Sequence, residues 1–250
     1  MKIRRYTNNV TMEHTSTPFH LIFPAHNEEK NIVRVMSLFC EYFTHPEMEF
    51  HIVVNGCSDH TYDEAQKVAA SDKRVMITQI KEKIGKGGAI VAGFHACRTT
   101  LPYIGFVDAD GSVAPEELGK LVDALDADTD LDIAMASRWT RGSVFAKRQP
   151  FTRQIWSRLF NLFVRVLFGF PYKDTQCGGK LMRRKAFERV KGAVRERGFA
   201  IDIDLIWQAH KRGLDVAEIP IVWGDDPNSS VQPRKILWPL VKALLRIRFS

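Results

Sequence analysis

The sequence predicts an α/β fold, a mostly parallel sheet flanked by helices, with an amphipathic helix appended at the C-terminal end. Two observations carry this. Short apolar runs alternate with stretches of helical periodicity through roughly the first 150 residues, the pattern of parallel strands joined by helical crossovers. After Pro233 the chain turns basic and apolar at helical spacing, which describes a surface helix.

The elements follow in order. Phe19–Pro24 is a short apolar strand, and Glu28–Phe43 is helical, with Ile32, Val35, Met36 and Phe39 on one stripe. His51–Asn55 is the second strand, followed by a helix over Thr61–Ala70. Val75–Ile80 is the third strand, Lys86–Arg98 a helix, Tyr103–Val107 the fourth strand. Pro115–Leu125 is helical and Leu131–Ser137 is the fifth strand. The second half is less regular. Arg153–Phe168 reads as an amphipathic helix with Ile155, Leu159, Leu162, Phe163, Val166 and Leu167 on its apolar side. Ile201–Arg212 is helical, Asp215–Trp223 a strand, Gly224–Pro233 a polar loop and Pro233–Arg248 the basic tail helix. No repeat or linker interrupts the chain. The expected organisation is an N-terminal extension over 1–18, one domain over 19–232, and the helix over 233–250.

The composition is ordinary for a globular protein, with 45% hydrophobic and 26% charged residues in 250. The charge is unevenly placed. Between Arg138 and Arg189 there are 13 Lys/Arg against Asp174 and Glu188, so this stretch carries +11 of a net +7 and the remainder is acidic. A confined basic stretch suits an anionic partner such as phosphate, nucleic acid or acidic lipid, or it is a solvated face. Cys40, Cys57, Cys97 and Cys177 are far apart, unlike a zinc site or a disulfide framework, and point to a reducing compartment. Met1–Pro18 lacks the apolar core of a signal peptide. No run approaches the ~18 apolar residues of a membrane span. The expected location is cytoplasmic, peripherally attached to a membrane.

Ligands of parallel sheets bind outside the carboxyl ends of the strands. Asp108-Ala109-Asp110 lies there, after the fourth strand. Two carboxylates around a small residue can hold one Mg²⁺ or Mn²⁺ against a diphosphate, because these ions take oxygen ligands and keep positions open for phosphate. The ion would offset charge on a leaving diphosphate. The same triplet also occurs in surface turns, so its neighbours decide its weight.

Those neighbours carry a resemblance. Pro24-Ala25-His26-Asn27-Glu28-Glu29, Asn55-Gly56-Cys57-Ser58-Asp59-His60-Thr61, Gly85-Lys86-Gly87-Gly88-Ala89, Asp108-Ala109-Asp110-Gly111 and Ala136-Ser137-Arg138 stand in the order and spacing of family 2 glycosyltransferases. That family has the GT-A (Rossmann-like) fold. Asp174-Thr175-Gln176-Cys177-Gly178-Gly179-Lys180-Leu181 and Phe199–Leu205 further resemble the subgroup acting on lipid phosphates, which includes dolichyl-phosphate glucosyltransferases and dolichol-phosphate mannose synthases. The likeness runs from about Phe19 to Trp223.

The resemblance implies roles residue by residue. Pro24, Ala25 and Glu28 border the nucleobase and ribose, although Glu28 also suits a helix N-terminus. Asp59 faces the base edge or caps the helix opening at Thr61. Val54-Asn55 replaces an acidic pair common in the family, leaving Asn55 to donate and accept. Lys86 meets the diphosphate from a glycine-flanked turn that opens a helix, or the turn is only a flexible loop. Asp108, Ala109 and Asp110 complete the donor site, with Asp108 and Asp110 as metal ligands. Arg138 meets the acceptor phosphate, joined by Arg153 or Arg148, since guanidinium forks pair phosphate oxygens.

The implied reaction is inverting transfer from a nucleotide-sugar to a polyprenyl or dolichyl phosphate, with Asp110, Arg138, Asp174 and Asp202 as catalytic candidates. A phosphate monoester is largely dianionic at neutral pH, its second pKa being about 6. It needs no general base, whereas a hydroxyl acceptor would depend on an acid such as Asp202. Asp174 and Asp204 are further candidates for positioning or for base catalysis with such an acceptor, and Asp202 also suits helix capping. The Gly85–Ala89 turn resembles UDP-glucose users more than GDP-mannose users, so UDP-glucose is the expected donor. Expected partners are the nucleotide-sugar, the lipid phosphate and an anionic membrane surface, but no nucleic acid. The rivals are a hydroxyl acceptor, a nucleic-acid-binding module and a non-catalytic nucleotide-sugar sensor.

Overall fold

The computed structural model describes residues 17–98, 100–145, 151–224 and 233–249, without the side chains of 151–156 and 233–237. Its first half alternates as expected: β1 (Phe19–Ala25), α1 (Ile32–Tyr42), β2 (Glu49–Asn55), α2 (Thr61–Ser71), β3 (Val75–Ile80), α3 (Gly85–Ala96), β4 (Tyr103–Val107), α4 (Pro115–Ala127) and β5 (Ile133–Ser137). The second half adds β6 (Val144–Phe145), α5 (Phe151–Phe168), β7 (Gly179–Arg183), α6 (Arg184–Val190), α7 (Ile201–Lys211), β8 (Val216–Pro220), β9 (Val222–Trp223) and α8 (Pro233–Phe249).

Seven strands form one sheet in the order β3-β2-β1-β4-β7-β5-β8. All neighbours are parallel except β7, which runs antiparallel between β4 and β5 with Lys180 opposite Phe106 and Met135. Sequence reading misses β7, because a glycine followed by a lysine in a five-residue run carries little strand signal. Its insertion delivers the Asp174–Lys180 stretch to the middle of the sheet. The expected strand over Asp215–Trp223 divides at Pro220: proline has no N–H for a ladder, and Val222 N–H turns instead to Glu117 Oε2 at 2.9 Å. The remaining piece, β9, pairs with β6 in a separate two-stranded sheet.

Alternation along the strands fills both faces. Phe19, Leu21, Phe23 and Phe50 pack with Phe39 of α1 and Leu118 of α4. On the opposite face Ile22, Val53 and Phe106 pack with Phe94 of α3, Phe187 of α6, Ile203 of α7 and Leu244 of α8.

Each amphipathic helix divides its apolar residues between the core and the outside. In α5, of the residues expected on the apolar side, Leu159, Leu162, Phe163 and Val166 are exposed, Val166 by 77%. The buried stripe is Asn161, Val164 and Phe168. Both faces are apolar, so periodicity does not tell inside from outside. In α8, Ala243, Leu244 and Ile247 are buried, leaving Trp238, Leu245 and Phe249 exposed. No described helix is long and apolar enough to cross a membrane. The expected N-terminal extension and the Gly224–Pro233 loop lie almost wholly outside the described residues.

Candidate active site

The carboxyl ends of β2, β1 and β4 are neighbours in the sheet, so the loops that follow them share one edge. The first two loops are laced together. Asn27 adopts φ +58°, in the left-handed region that asparagine tolerates better than most residues, and its Oδ1 accepts the Ser58 N–H at 2.9 Å. Glu28 N–H donates to Thr61 Oγ1 at 2.7 Å, and the Glu28 carboxylate accepts the Asn31 amide at 2.9 Å. Asn55 Nδ2 donates to the Ala25 carbonyl at 3.1 Å. Asp59 accepts the N–H groups of Thr61 and Glu29 and the Thr61 hydroxyl. Burial works against its charge, but these bonds outweigh it and hold the carboxyl below its usual range. These bonds tie Asp59 to the loop after β1 and to the start of α2.

Beyond β4 lies a cluster of carboxylates and two lysines. Lys86, in the first turn of α3, places Nζ 2.8 Å from Asp108 Oδ1 and 3.2 Å from Asp202 Oδ2. Lys180, fully buried, holds the other Asp202 oxygen at 2.5 Å and donates to the Cys177 carbonyl at 2.9 Å. Burial penalises Lys86, yet the two carboxylates raise its pKa. Burial pushes Asp108 up to about 6 against the pull of Lys86, with Asp110 and Asp202 adding repulsion. Burial alone would raise Asp202 too, but Lys180 and Lys86 bring it below the ordinary carboxylate value.

Glycines make this cluster possible. A Cβ on Gly178 would collide with the Asp108 carboxylate, while the Asp108 N–H donates to the Gly178 carbonyl at 3.0 Å. Cβ atoms on Gly85 and Gly87 would come within 2.5 Å of the Arg197 and Glu196 carbonyls. The glycines around Lys86 therefore seat its turn against the 196–198 backbone. Gly111 at φ +76° follows Asp110, whose carboxylate accepts the Ser112 N–H at 2.8 Å.

At the end of β5, Arg138 clamps Asp174 through Nε at 2.7 Å and Nη2 at 2.9 Å, and its N–H adds a third bond at 3.0 Å. Burial opposes the Asp174 charge, and Arg138 overcomes it to lower the pKa. Glu218 of β8 supports the loop from behind, accepting the N–H groups of Lys173 and Asp174 and the Ser137 hydroxyl.

The expected site residues thus fall into two groups on one sheet edge. Pro24, Ala25, Glu28, Asn55 and Asp59 frame the loops after β1 and β2; Lys86, Asp108, Ala109, Asp110, Arg138, Asp174 and Asp202 belong to the charged centre. Asp204 serves structure instead, accepting the N–H groups of Arg195 and Glu196 at 2.8 and 3.0 Å. Arg148 lies outside the described residues, as does the side chain of Arg153. Sequence reasoning assigned no role to Lys180, Gly178 or Glu218; a lysine within Cys177-Gly178-Gly179-Lys180-Leu181-Met182 was the available signal. The basic stretch is also less of a surface than its charge suggests. Lys180 is buried, Arg183 donates to the Leu131 and Asp128 carbonyls, Arg184 to those of Thr100 and Leu101, and Arg189 to that of Arg212.

The centre suits a cation, since an ammonium already sits against Asp108. Among the described residues no group of three or more His, Cys, Asp or Glu converges. Two carboxylates suffice for an ion that takes its remaining ligands from phosphate and water.

Taken together, these features define an α/β protein with a charged centre at the carboxyl edge of its sheet, and the fold has solved counterparts. Glucosyl-3-phosphoglycerate synthase from Mycobacterium tuberculosis, in complex with Mn²⁺, uridine diphosphate and glucosyl-3-phosphoglycerate, matches with a TM-score of 0.73 over 98% of this chain and 86% of that one, at 17% identity. The fold is therefore GT-A. The glycosyl transferase family 2 model matches residues 21–191, and the chain belongs to that family. It is 34% identical over 206 residues to polyprenol monophosphomannose synthase of Mycolicibacterium smegmatis, covering 81% of this chain and 76% of that protein. It is 27% identical over 242 residues to dolichyl-phosphate beta-glucosyltransferase of Dictyostelium discoideum, covering 92% and 73%.

Proposed function

We propose that the chain transfers a hexose, with inversion, from a nucleotide-sugar to a polyprenyl phosphate at an anionic membrane surface, and that UDP-glucose is the donor. One observation carries the acceptor reading: both candidate bases are pinned by cations. Asp174 is clamped by Arg138 and Asp202 is shared by two lysines, which makes either carboxylate a poor base for a sugar hydroxyl. A phosphate monoester brings its own nucleophilic oxygen, dianionic above a second pKa of about 6. The two relatives agree with this acceptor: their names speak of polyprenol and dolichyl phosphate, with mannose in one and glucose in the other. For the sugar, the Gly85–Ala89 turn favours UDP-glucose over GDP-mannose.

In this reading Pro24, Ala25, Glu28, Asn55 and Asp59 border the base and ribose, and Lys86, Asp108, Ala109 and Asp110 surround the diphosphate. Asp108 and Asp110 hold Mg²⁺ or Mn²⁺, which when bound neutralises charge on the leaving diphosphate. Arg138 gives two N–H bonds to Asp174, and the remaining N–H groups of the guanidinium meet the acceptor phosphate, with Arg148 or Arg153 beside it. The exposed stripes of α5 and α8 rest on the lipid surface.

The test supplies radiolabelled UDP-glucose or GDP-mannose, with Mn²⁺, to a short-chain polyprenyl phosphate and separately to a glycoside acceptor. Transfer from UDP-glucose to the lipid phosphate is expected. Transfer to the glycoside alone would remove the phosphate acceptor; preference for GDP-mannose would correct the sugar.

A further inference from the structure

Lys86 Nζ spans the Asp108 carboxylate, 2.8 Å from Oδ1 and 3.1 Å from Oδ2. Magnesium held by that carboxylate would sit about 2.0–2.1 Å from an oxygen, within a few ångströms of the ammonium. Two cations so placed on one carboxylate repel strongly in a partly buried site. Asp202 is a weak alternative holder, because it already pairs with Lys180 at 2.5 Å. The backbone under Lys86 has little room to move: the Gly88 N–H donates to the Arg197 carbonyl at 2.9 Å, and Gly85 and Gly87 lie tightly against the 196–198 segment. Relief must therefore come from the lysine side chain, whose long stem lets its ammonium swing to another anion.

We propose that Lys86 is a placeholder for the metal: it holds Asp108 while the donor is absent, obstructs the metal alone, and moves onto the donor's diphosphate when metal and nucleotide enter together. The proposal rests on the reading of Asp108 as a metal ligand. It makes binding of metal and donor mutually reinforcing, each raising the other's affinity by the same factor. The diphosphate is what gives the displaced ammonium a new charge-assisted bond. Metal entry without donor is disfavoured, so the ion is taken up at the moment it has a leaving group to serve.

The test titrates Mn²⁺ against the wild type, Lys86→Met and Lys86→Arg, alone and with UDP or GDP, reading free Mn²⁺ by electron paramagnetic resonance. Without nucleotide, Lys86→Met binds Mn²⁺ about tenfold or more tighter than the wild type, and Lys86→Arg stays weak because it keeps a cation. With nucleotide, the wild type gains more affinity than Lys86→Met. Thermal unfolding checks that the methionine variant is folded, and Lys86→Gln, read the same way, replaces it if it is not. Equal or weaker Mn²⁺ binding by the folded neutral variants overturns the proposal. A wild type that binds no Mn²⁺ even with nucleotide, and neutral variants that do no better, remove the metal reading itself and the proposal with it.

Discussion

Asp110, Arg138 and His51 show how differently single side chains bear on this protein. Asp110 is half-buried and makes a local turn bond to Ser112. Asp110→Ala should leave stability within about 1 kcal/mol while cutting sugar transfer by about a hundredfold or more; transfer at the wild-type rate would remove Asp110 from metal binding. Arg138 is the reverse case. Its partner Asp174 is fully buried, so Arg138→Ala strands a charge and should cost about 3–5 kcal/mol in urea unfolding, besides weakening the lipid phosphate. His51 lies on the sheet far from this chemistry, its Nε2 2.8 Å from Thr78 Oγ1. Burial lowers its pKa from 6.5 to about 4, with His20 adding to the effect. A histidine depressed in the folded state stays neutral there while the unfolded chain protonates. Its contribution is therefore complete above about pH 6.5 and is lost as pH falls towards about 4, by about 2 kcal/mol at pH 5. His51→Gln should flatten that part of the pH–stability curve, and an unchanged slope would reject the assignment.

At the scale of elements, α5 separates packing from exposure within one helix. Phe168 is 4% exposed and stacks on Phe170 at 5.2 Å, so Phe168→Ala should cost about 3–5 kcal/mol. Val166, two residues earlier and on the other stripe, should tolerate Ser within about 0.5 kcal/mol. A reversal of these two results in denaturant unfolding would overturn this assignment of the buried and exposed stripes. The insertion of β7 matters more for function. It is the element that sets Gly178 beside Asp108 and Lys180 beside Asp202, bringing residues far apart in sequence into one charged centre.

At the scale of the whole molecule, seven of the thirteen large apolar side chains exposed among the described residues lie on α5 and α8, helices that pack against each other. Leu159, Leu162, Phe163, Val166, Trp238, Leu245 and Phe249 face outward there, a concentration that marks an interaction surface. The cations of α8 are partly engaged with the rest of the fold. Arg246 pairs with Glu196 at 2.7 Å while staying 70% exposed, and Arg248 donates to the Leu167 carbonyl and lies over Trp207. Lys242, exposed and set over Trp238, also remains on the surface. Membrane binding should thus rest more on the apolar side chains than on charge, with each nearby cation adding about 1 kcal/mol on anionic lipid. The protein is expected to sediment with anionic vesicles at low salt and to be partly released at high salt. Val166→Asp combined with Phe249→Asp should abolish sedimentation and slow transfer to long-chain acceptors more than to short ones. A wild type that stays in the supernatant would exclude this surface as the lipid contact.

The alternation of β1 to β5 with their helices was legible in the sequence because strand and helix periods differ and Gly, Pro and Asp mark the joints between them. The positions of Asp108, Asp110 and Arg138 at the sheet edge followed from the same reading, since local spacing alone places a residue after a strand. Which charges pair was decided only by tertiary structure. Lys86 reaches Asp108 and Asp202, Lys180 backs Asp202, and Arg138 takes Asp174, all through contacts between residues remote in sequence. The short antiparallel β7 has almost no local signature, and the stripe of α5 that faces the core depends on what packs against it. Periodicity reports that a face is apolar; only its neighbours determine whether that face is covered.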